Sequence, residues 1–356
     1  MSAHGSSARA VQRPSAHGVQ GFTLVELMVA MAIGLLLVAA LVALVVSTIA
    51  NRSELDKSAR QIENGRYALK VLSEDIALAG FLGTSGLYSW DRVAPVACPA
   101  SVADLGYATS TLPLAVQLLT ATPGCVTNVQ PGTDMLLLTR VAVQPVAPAS
   151  TSATEAYVQV STCQKDTKSF TAAAGAQAAD FTLMQKDCSD THLAQVRKAI
   201  QRIYFVSSCH ECGKDTIPTL KVAEYVGGTM TITPLVEGIE NLQFDFGIDT
   251  DGNGSPDCYV SNPDAPAPAQ IDASVCVPPA TAYDWSIVAA NRANVMAVRV
   301  NLLARNTETT GGWTDDRTYH LGLGAPTVGP FNDSYKRHAY STVARLNNPS
   351  GLRELP

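Results

Sequence analysis

An unbroken apolar run near the N-terminus constrains this 356-residue chain more than any other feature. From Leu27 to Ala50 no residue carries a charge, and only Gly34, Ser47 and Thr48 interrupt the apolar side chains. At about 1.5 Å per residue a helix over this run reaches roughly 36 Å, enough to cross a hydrocarbon core of about 30 Å. A cleaved secretory signal would have an apolar core of about 7–15 residues with a small-x-small site after it. Here Ala30-Met31-Ala32 lies inside the run. Arg9 and Arg13, with no acid before the span, favour an N-terminus on the inside. A plain single-pass anchor accounts for the run but not for Glu26 at its edge. A carboxylate at membrane depth is costly and needs a partner, and the helix dipole gives it only modest help.

Apolar periodicity continues past Ala50. Leu55, Ala59, Ile62, Leu69, Leu72, Ile76 and Ala79 recur at helical steps, with Arg52, Glu54, Lys57, Arg60, Glu63, Arg66 and Glu74 between them. That pattern predicts an amphipathic helix laying one face on a folded domain, ended by Gly80 and Gly83. A break capped by Asn51 or Ser53 is the alternative. Beyond it the chain is β-rich. Runs at Met135–Val141, Tyr157–Val160, Ala199–Val206, Leu220–Val226, Leu242–Ile248, Val295–Leu302 and Ala339–Arg345 read as strands. The stretch from Leu87 to about Glu155 is rich in Ala, Pro, Thr and Ser, and Gln144–Ser150 reads as a loop. With little further helix, the fold class is α+β: a long N-terminal helix, half membrane span and half amphipathic, packed on antiparallel sheet. Its expected parts are a segment 1–21, a helix over 22–83 with its span at about 22–50, and a domain over 84–356.

The charge balance, 25 Lys+Arg against 31 Asp+Glu, gives no basic footprint for nucleic acid. Eight cysteines, Cys98, Cys125, Cys163, Cys188, Cys209, Cys212, Cys258 and Cys276, all follow the apolar run. An even number beyond a membrane segment points to an oxidising compartment and a disulfide framework. Spacing does not fix the connectivity, and pairing between sequence neighbours is the expectation. Cys209-His210-Glu211-Cys212 invites a zinc or redox reading. Tetrahedral zinc needs four ligands, however, and a thioredoxin-like site needs a βαβ setting. A structural disulfide closing a tight turn fits better, and no HExxH or GxSxG supports catalysis. A membrane-anchored thiol oxidoreductase would require a low-pKa cysteine at Cys209 or Cys212.

Asp249, Asp251, Asn253, Ser255 and Asp257 place oxygens at alternate positions around Gly252. Against the EF-hand loop Asp249, Asp251, Asn253 and Asp257 match positions 1, 3, 5 and 9, with Gly254 at 6, but Val260 stands where the bidentate Glu belongs. A structural Ca²⁺ site of weak affinity, roughly 0.1–1 mM, is one reading. An acidic, glycine-rich turn is the other.

Gly21-Phe22-Thr23-Leu24-Val25-Glu26-Leu27 resembles the processing motif of type IV prepilins. The resemblance implies that a prepilin peptidase cuts between Gly21 and Phe22 and that the new N-terminal Phe22 is N-methylated. It also implies that Glu26, fifth in the mature chain, pairs with the amine of a neighbouring subunit during fibre assembly. Residues 1–21 would then be the leader. Glu63-Asn64-Gly65-Arg66-Tyr67-Ala68-Leu69, Leu72-Ser73-Glu74-Asp75-Ile76 and Ala79-Gly80-Phe81 are similar to the PilW family of minor pilins. Pro234–Phe244 resembles the segment before a central strand in that family, and His338–Asn347 its terminal strand. The family implies an enlarged pilin roll held in the inner membrane with a periplasmic domain, then carried to the cell surface in a pilus. Its partners would be major and other minor pilins and the inner-membrane assembly platform, in a priming or tip-proximal complex. A type II secretion pseudopilin shares this architecture, and an adhesin role for residues 84–200 is a further option.

Overall fold

The structure, a computed structural model, describes residues 21–83, 91–108, 111–174, 178–271, 276, 283–324 and 327–354. Residues 1–20 of the expected leader, with Arg9 and Arg13, lie outside the described residues, as does Leu87. The chain divides into two compact units, Met1–Leu55 and Asp56–Pro356.

Helix α1 is a single element, Leu24–Leu78, that passes through Asn51 and Ser53 without a break. In the first unit its side chains are almost all exposed, Leu27, Leu36, Leu41 and Val46 among them. A helix apolar all round belongs in lipid or inside a protein assembly.

The second unit begins with the rest of α1. Strands follow at β1 (Asp91–Val93), β2 (Thr111–Pro113), β3 (Val116–Leu119), β4 (Met135–Val141), β5 (Ala156–Val160) and β6 (Phe170–Ala174). Next come β7 (Val196–Ser207), β8 (Thr219–Val226), β9 (Thr229–Glu237), β10 (Ile239–Ile248) and β11 (Cys258–Val260). The chain closes with α2 (Val288–Ala293), β12 (Val295–Arg305), β13 (Arg337–Arg345) and α3 (Asn347–Arg353). One antiparallel sheet has the order β11-β10-β12-β13. The other follows β3-β4-β7-β5-β6, with β8 joined to β7 and β9 to β8. Strand β7 holds it together, pairing β5 through Val196–Lys198, β4 through Ala199–Tyr204 and β8 through Arg202–Ser207. The short pair β1-β2 is parallel.

Every strand expected above is present, and β1, β2, β3, β6, β9 and β11 are additions, of which β9 is the longest. Its Thr-Met-Thr-Ile-Thr alternation carries Pro234, which the sequence reading placed before a strand. Among the described residues strand β9 pairs only with β8, and it shifts register beside Pro234; an edge strand with a bulge is where a residue without an N–H is tolerated. Two short helices, α2 and α3, also go beyond the expectation of almost none after Gly83.

The face of α1 that packs on the sheets is a correction to the expected stripe. Gln61, Gly65, Ala68, Leu72, Asp75 and Ile76 are buried, whereas Leu55 and Ile62 are exposed. Polar side chains hold the upper turns in place. Gln61 Nε2 donates to the Ala304 and Lys336 carbonyls, each at 2.8 Å, and Asn64 Nδ2 donates to Glu237 O at 3.1 Å. Gly65 permits close approach, since a Cβ there would lie 2.5 Å from the Tyr340 ring. Further along, Ala68, Leu72, Ile76 and Ala79 enter one core with Leu136, Leu138, Val206, Leu242, Phe244, Val298, Val300 and Leu302 from both sheets. Burying a Leu or Ile side chain contributes about 1.5–3 kcal/mol. The helix then stops at Gly80, in the left-handed region (φ 73°), whose N–H donates to Thr139 O at 2.8 Å.

Asp134, just before β4, links the two sheets: its N–H donates to Leu242 O and its carboxylate accepts the Phe244 N–H, both at 2.9 Å. Burial, reinforced by the Asp245 charge and opposed by that N–H, pushes its carboxyl up to about 6. An unfolded aspartate titrates near 3.9, so the folded state holds this proton longer. Its contribution therefore favours folding at low pH and is lost as pH rises from about 4 to about 6. Asp134→Asn is expected to stabilise the protein by roughly 1–2 kcal/mol near pH 7.5 and by little near pH 4. Melting temperatures at the two pH values test this, and an equal change at both would refute it.

Candidate functional site

The entrance of α1 brings together the residues that the sequence singled out. Gly21 and Phe22 precede the helix, and a side chain at Gly21 would meet nothing within 4 Å. Thr23 is the residue before the first helical one. Its N–H and its hydroxyl both donate to Glu26 Oε2 at 3.0 Å, and the Glu26 N–H donates to Thr23 Oγ1 at 3.2 Å. This reciprocal arrangement is a capping box, T-x-x-E, which satisfies two of the donors that a helix N-terminus leaves open. The Thr23-x-x-Glu26 spacing just before an apolar run is the sequence signal for this cap. Glu26 therefore has a local partner in the isolated chain, and its side chain is exposed.

The opposite end of α1 supplies a residue that the sequence reading did not single out. Asp75, buried, accepts from Arg140 Nε at 2.7 Å, from Arg202 Nη1 at 2.9 Å and from the Tyr204 hydroxyl at 2.7 Å. Arg202 Nε in turn donates to Glu224 at 2.8 Å. Burial works against the charged carboxyl, but Arg202, Arg140 and the Tyr204 hydroxyl outweigh it and hold Asp75 below the ordinary carboxylate range. The signal was an acid three residues after Leu72 and four before Ala79, on the apolar face.

The Asp-rich segment forms the β10–β11 hairpin loop. Asp249, Asp251 and Asp257 each place an oxygen within 4.8 Å of the others. Protein donors already engage them. Asp249 accepts the Gly252, Asn253 and Gly254 N–H groups and Arg353 Nη1 at 2.8 Å. Asp257 accepts the Thr250 N–H and hydroxyl, both at 2.7 Å, and Asp251 accepts from Asn253. The Asn253 side-chain oxygen accepts the Ser255 N–H at 2.7 Å. Burial opposes ionisation of Asp249, but Arg353 and the loop N–H groups hold its carboxyl low.

The eight cysteines form four disulfides between sequence neighbours: Cys98–Cys125, Cys163–Cys188, Cys209–Cys212 and Cys258–Cys276. Cys209–Cys212 closes a turn within the β7–β8 connection.

The first unit thus carries an exposed apolar helix with a capped acid at its entrance, and the second is a disulfide-bonded α+β unit. Comparison with known proteins agrees at both ends of the chain. Residues 17–42 match the prokaryotic N-terminal methylation motif, and residues 203–348 match the family described as Type IV Pilus-assembly protein W. Together these matches are those of a PilW-like type IV pilin. The second match runs from within β7 to the start of α3, and residues 43–202 fall between the two. No curated protein and no solved structure gives a match.

Proposed function

We propose that the chain is a prepilin, cut between Gly21 and Phe22 and N-methylated at Phe22, that serves as a minor subunit of a type IV pilus. It is held in the inner membrane by α1 with its β-rich domain in the periplasm, and then enters the fibre in a priming complex near the tip. The observation that carries this reading is the methylation motif set directly on an exposed apolar helix that begins at Leu24. The C-terminal family match concerns pilus assembly, which favours the pilus over a type II secretion machine. Intact mass and N-terminal sequencing of protein from its native membrane test the reading. The expected first residue is Phe22, methylated, and any other would overturn it.

The same reading takes the Asp249–Asp257 loop as a weak structural Ca²⁺ site, completed by water. Weakness follows from Arg353, which already holds one Asp249 oxygen. A melting temperature that rises with Ca²⁺ and saturates at about 0.1–1 mM is expected. A melting temperature that ignores Ca²⁺ would leave Arg353 as the loop's cation and end this reading.

A further inference from the structure

Among the four bridges, Cys209–Cys212 differs in its surroundings. Cys212 is exposed while Cys209 is buried, and the other cysteines are half-buried or buried. Lys221, itself buried, extends from β8 so that Nζ lies 3.7 Å from Cys212 Sγ and donates to His210 O at 2.9 Å. The Ser207 hydroxyl lies 3.7 Å from each sulfur. The pair opens onto a cleft of about 560 Å³ lined also by Asp215, Glu240, Arg305 and Tyr335. Disulfide exchange needs access to one sulfur and stabilisation of each thiolate that departs: Cys212 is the accessible sulfur, the Ser207 hydroxyl faces Cys209, and Lys221 faces Cys212.

The remaining bridges span 27, 25 and 18 residues, and this one spans 3. A short loop removes little entropy from the unfolded chain, so opening it costs little stability. The turn also has a second clasp. The Asp215 carboxylate accepts the N–H groups of His210, Glu211 and Ile217 at 2.8, 2.7 and 3.0 Å. The turn therefore keeps its shape when the sulfurs part.

We propose that Cys209–Cys212 is an exchange-active disulfide, opened reversibly by a dithiol partner that enters the cleft and attacks Cys212, while the other three bridges are structural. In the first step a partner thiolate bonds to Cys212 Sγ, the Cys209–Cys212 bond breaks, and its electron pair leaves on Cys209 Sγ beside the Ser207 hydroxyl. In the second step the partner's other thiolate attacks the partner sulfur of this mixed disulfide, and the electron pair leaves on Cys212 Sγ beside Lys221. The partner ends as a disulfide. Two electrons, with two protons carried by water from its thiols, have moved to Cys209 and Cys212. A dithiol fits better than two monothiols because its second thiolate is already tethered beside the sulfur it must attack in the mixed disulfide. Charged groups near the pair are Lys221, Asp215, His210 with Glu237 at 3.5 Å, and Lys214 with Glu211 at 2.6 Å. Burial lowers the Lys221 ammonium from its ordinary range, with Asp215 opposing, and a thiolate forming beside it would counter that lowering. This inference does not depend on the pilus reading.

The test is differential alkylation of the full chain in detergent micelles, followed by peptide mass spectrometry across a dithiothreitol series. Cys209 and Cys212 are expected to be labelled at reductant levels that leave the other six cysteines bridged. Labelling together with, or after, the others would overturn the proposal. With reduced glutathione, the mixed disulfide trapped by rapid alkylation is expected on Cys212, and a mixed disulfide on Cys209 would refute the order of attack. Lys221→Met should lower the equilibrium constant for reduction several-fold. Were Lys221 only a prop for the hairpin, its loss would loosen the turn and make reduction easier, the opposite sign.

Discussion

Cells carrying Glu26→Ala are expected to cleave the prepilin normally after Gly21 but to lose this subunit from sheared fibres. Two effects are mixed in that variant. Removing the carboxylate dismantles the capping box at Thr23, worth about 1 kcal/mol of helix N-terminus. It also removes the charge proposed to meet the amine of Phe22 on an adjacent subunit. Glu26→Gln separates them, because glutamine at this position still completes a capping box but carries no charge. A charge at membrane depth costs about 2.5–3.5 kcal/mol at a helix centre, so a Phe22 amine left without its carboxylate would disfavour the packed state strongly. Both variants should therefore fail to incorporate, with immunoblots of membranes and of sheared pili as the readout. Incorporation of the glutamine variant at the normal level would mean that Glu26 serves its own helix and not assembly.

The largest expected effect on stability belongs to Asp75→Asn. Asparagine leaves the Arg140 and Arg202 guanidiniums without their shared anion under α1, where Arg140 is buried. Breaking a buried, hydrogen-bonded ion pair from one side costs about 3–5 kcal/mol. The pH dependence has a definite sign. Because the folded Asp75 carboxyl is held low, its contribution is complete above the unfolded value near 3.9 and is lost as pH falls through the folded value. The acid limb of the stability curve should therefore flatten in Asp75→Asn. Denaturant melts of the full chain in detergent micelles across pH measure both, and a loss under about 1 kcal/mol near neutrality would show that the cluster is not what fastens α1. Replacing Asp75, Arg140 and Arg202 together by apolar residues should recover much of the loss, since no charge then remains buried unpaired.

Much of the architecture was legible because it rests on periodicity. The apolar run, the helical steps through Leu72, Ile76 and Ala79, and the short β-rich runs each report a local pattern that the fold keeps. The stripe slipped where composition misled: Leu55 and Ile62 look like core residues, yet Gln61 and Gly65 take the buried side. A glutamine is buried there because two carbonyls, Ala304 and Lys336, wait for its amide, and both lie over two hundred residues away in sequence. Strand β9 was obscured by Pro234, which only its edge position excuses.

Sequence alone determined the helix entrance, because glycine, capping threonine and glutamate act within one turn of backbone. It determined equally the apolar run, whose length and lack of charge are properties of the local chain. Tertiary structure decided what depends on distant groups meeting. Asp75 became a fastening because β4 and β7 bring Arg140, Arg202 and Tyr204 to it. The Asp249 loop acquired Arg353 from the last helix. The Cys209–Cys212 turn acquired Lys221 from the next strand. Charges and sulfurs take their chemistry from neighbours within a few ångströms, and those neighbours are chosen by the fold.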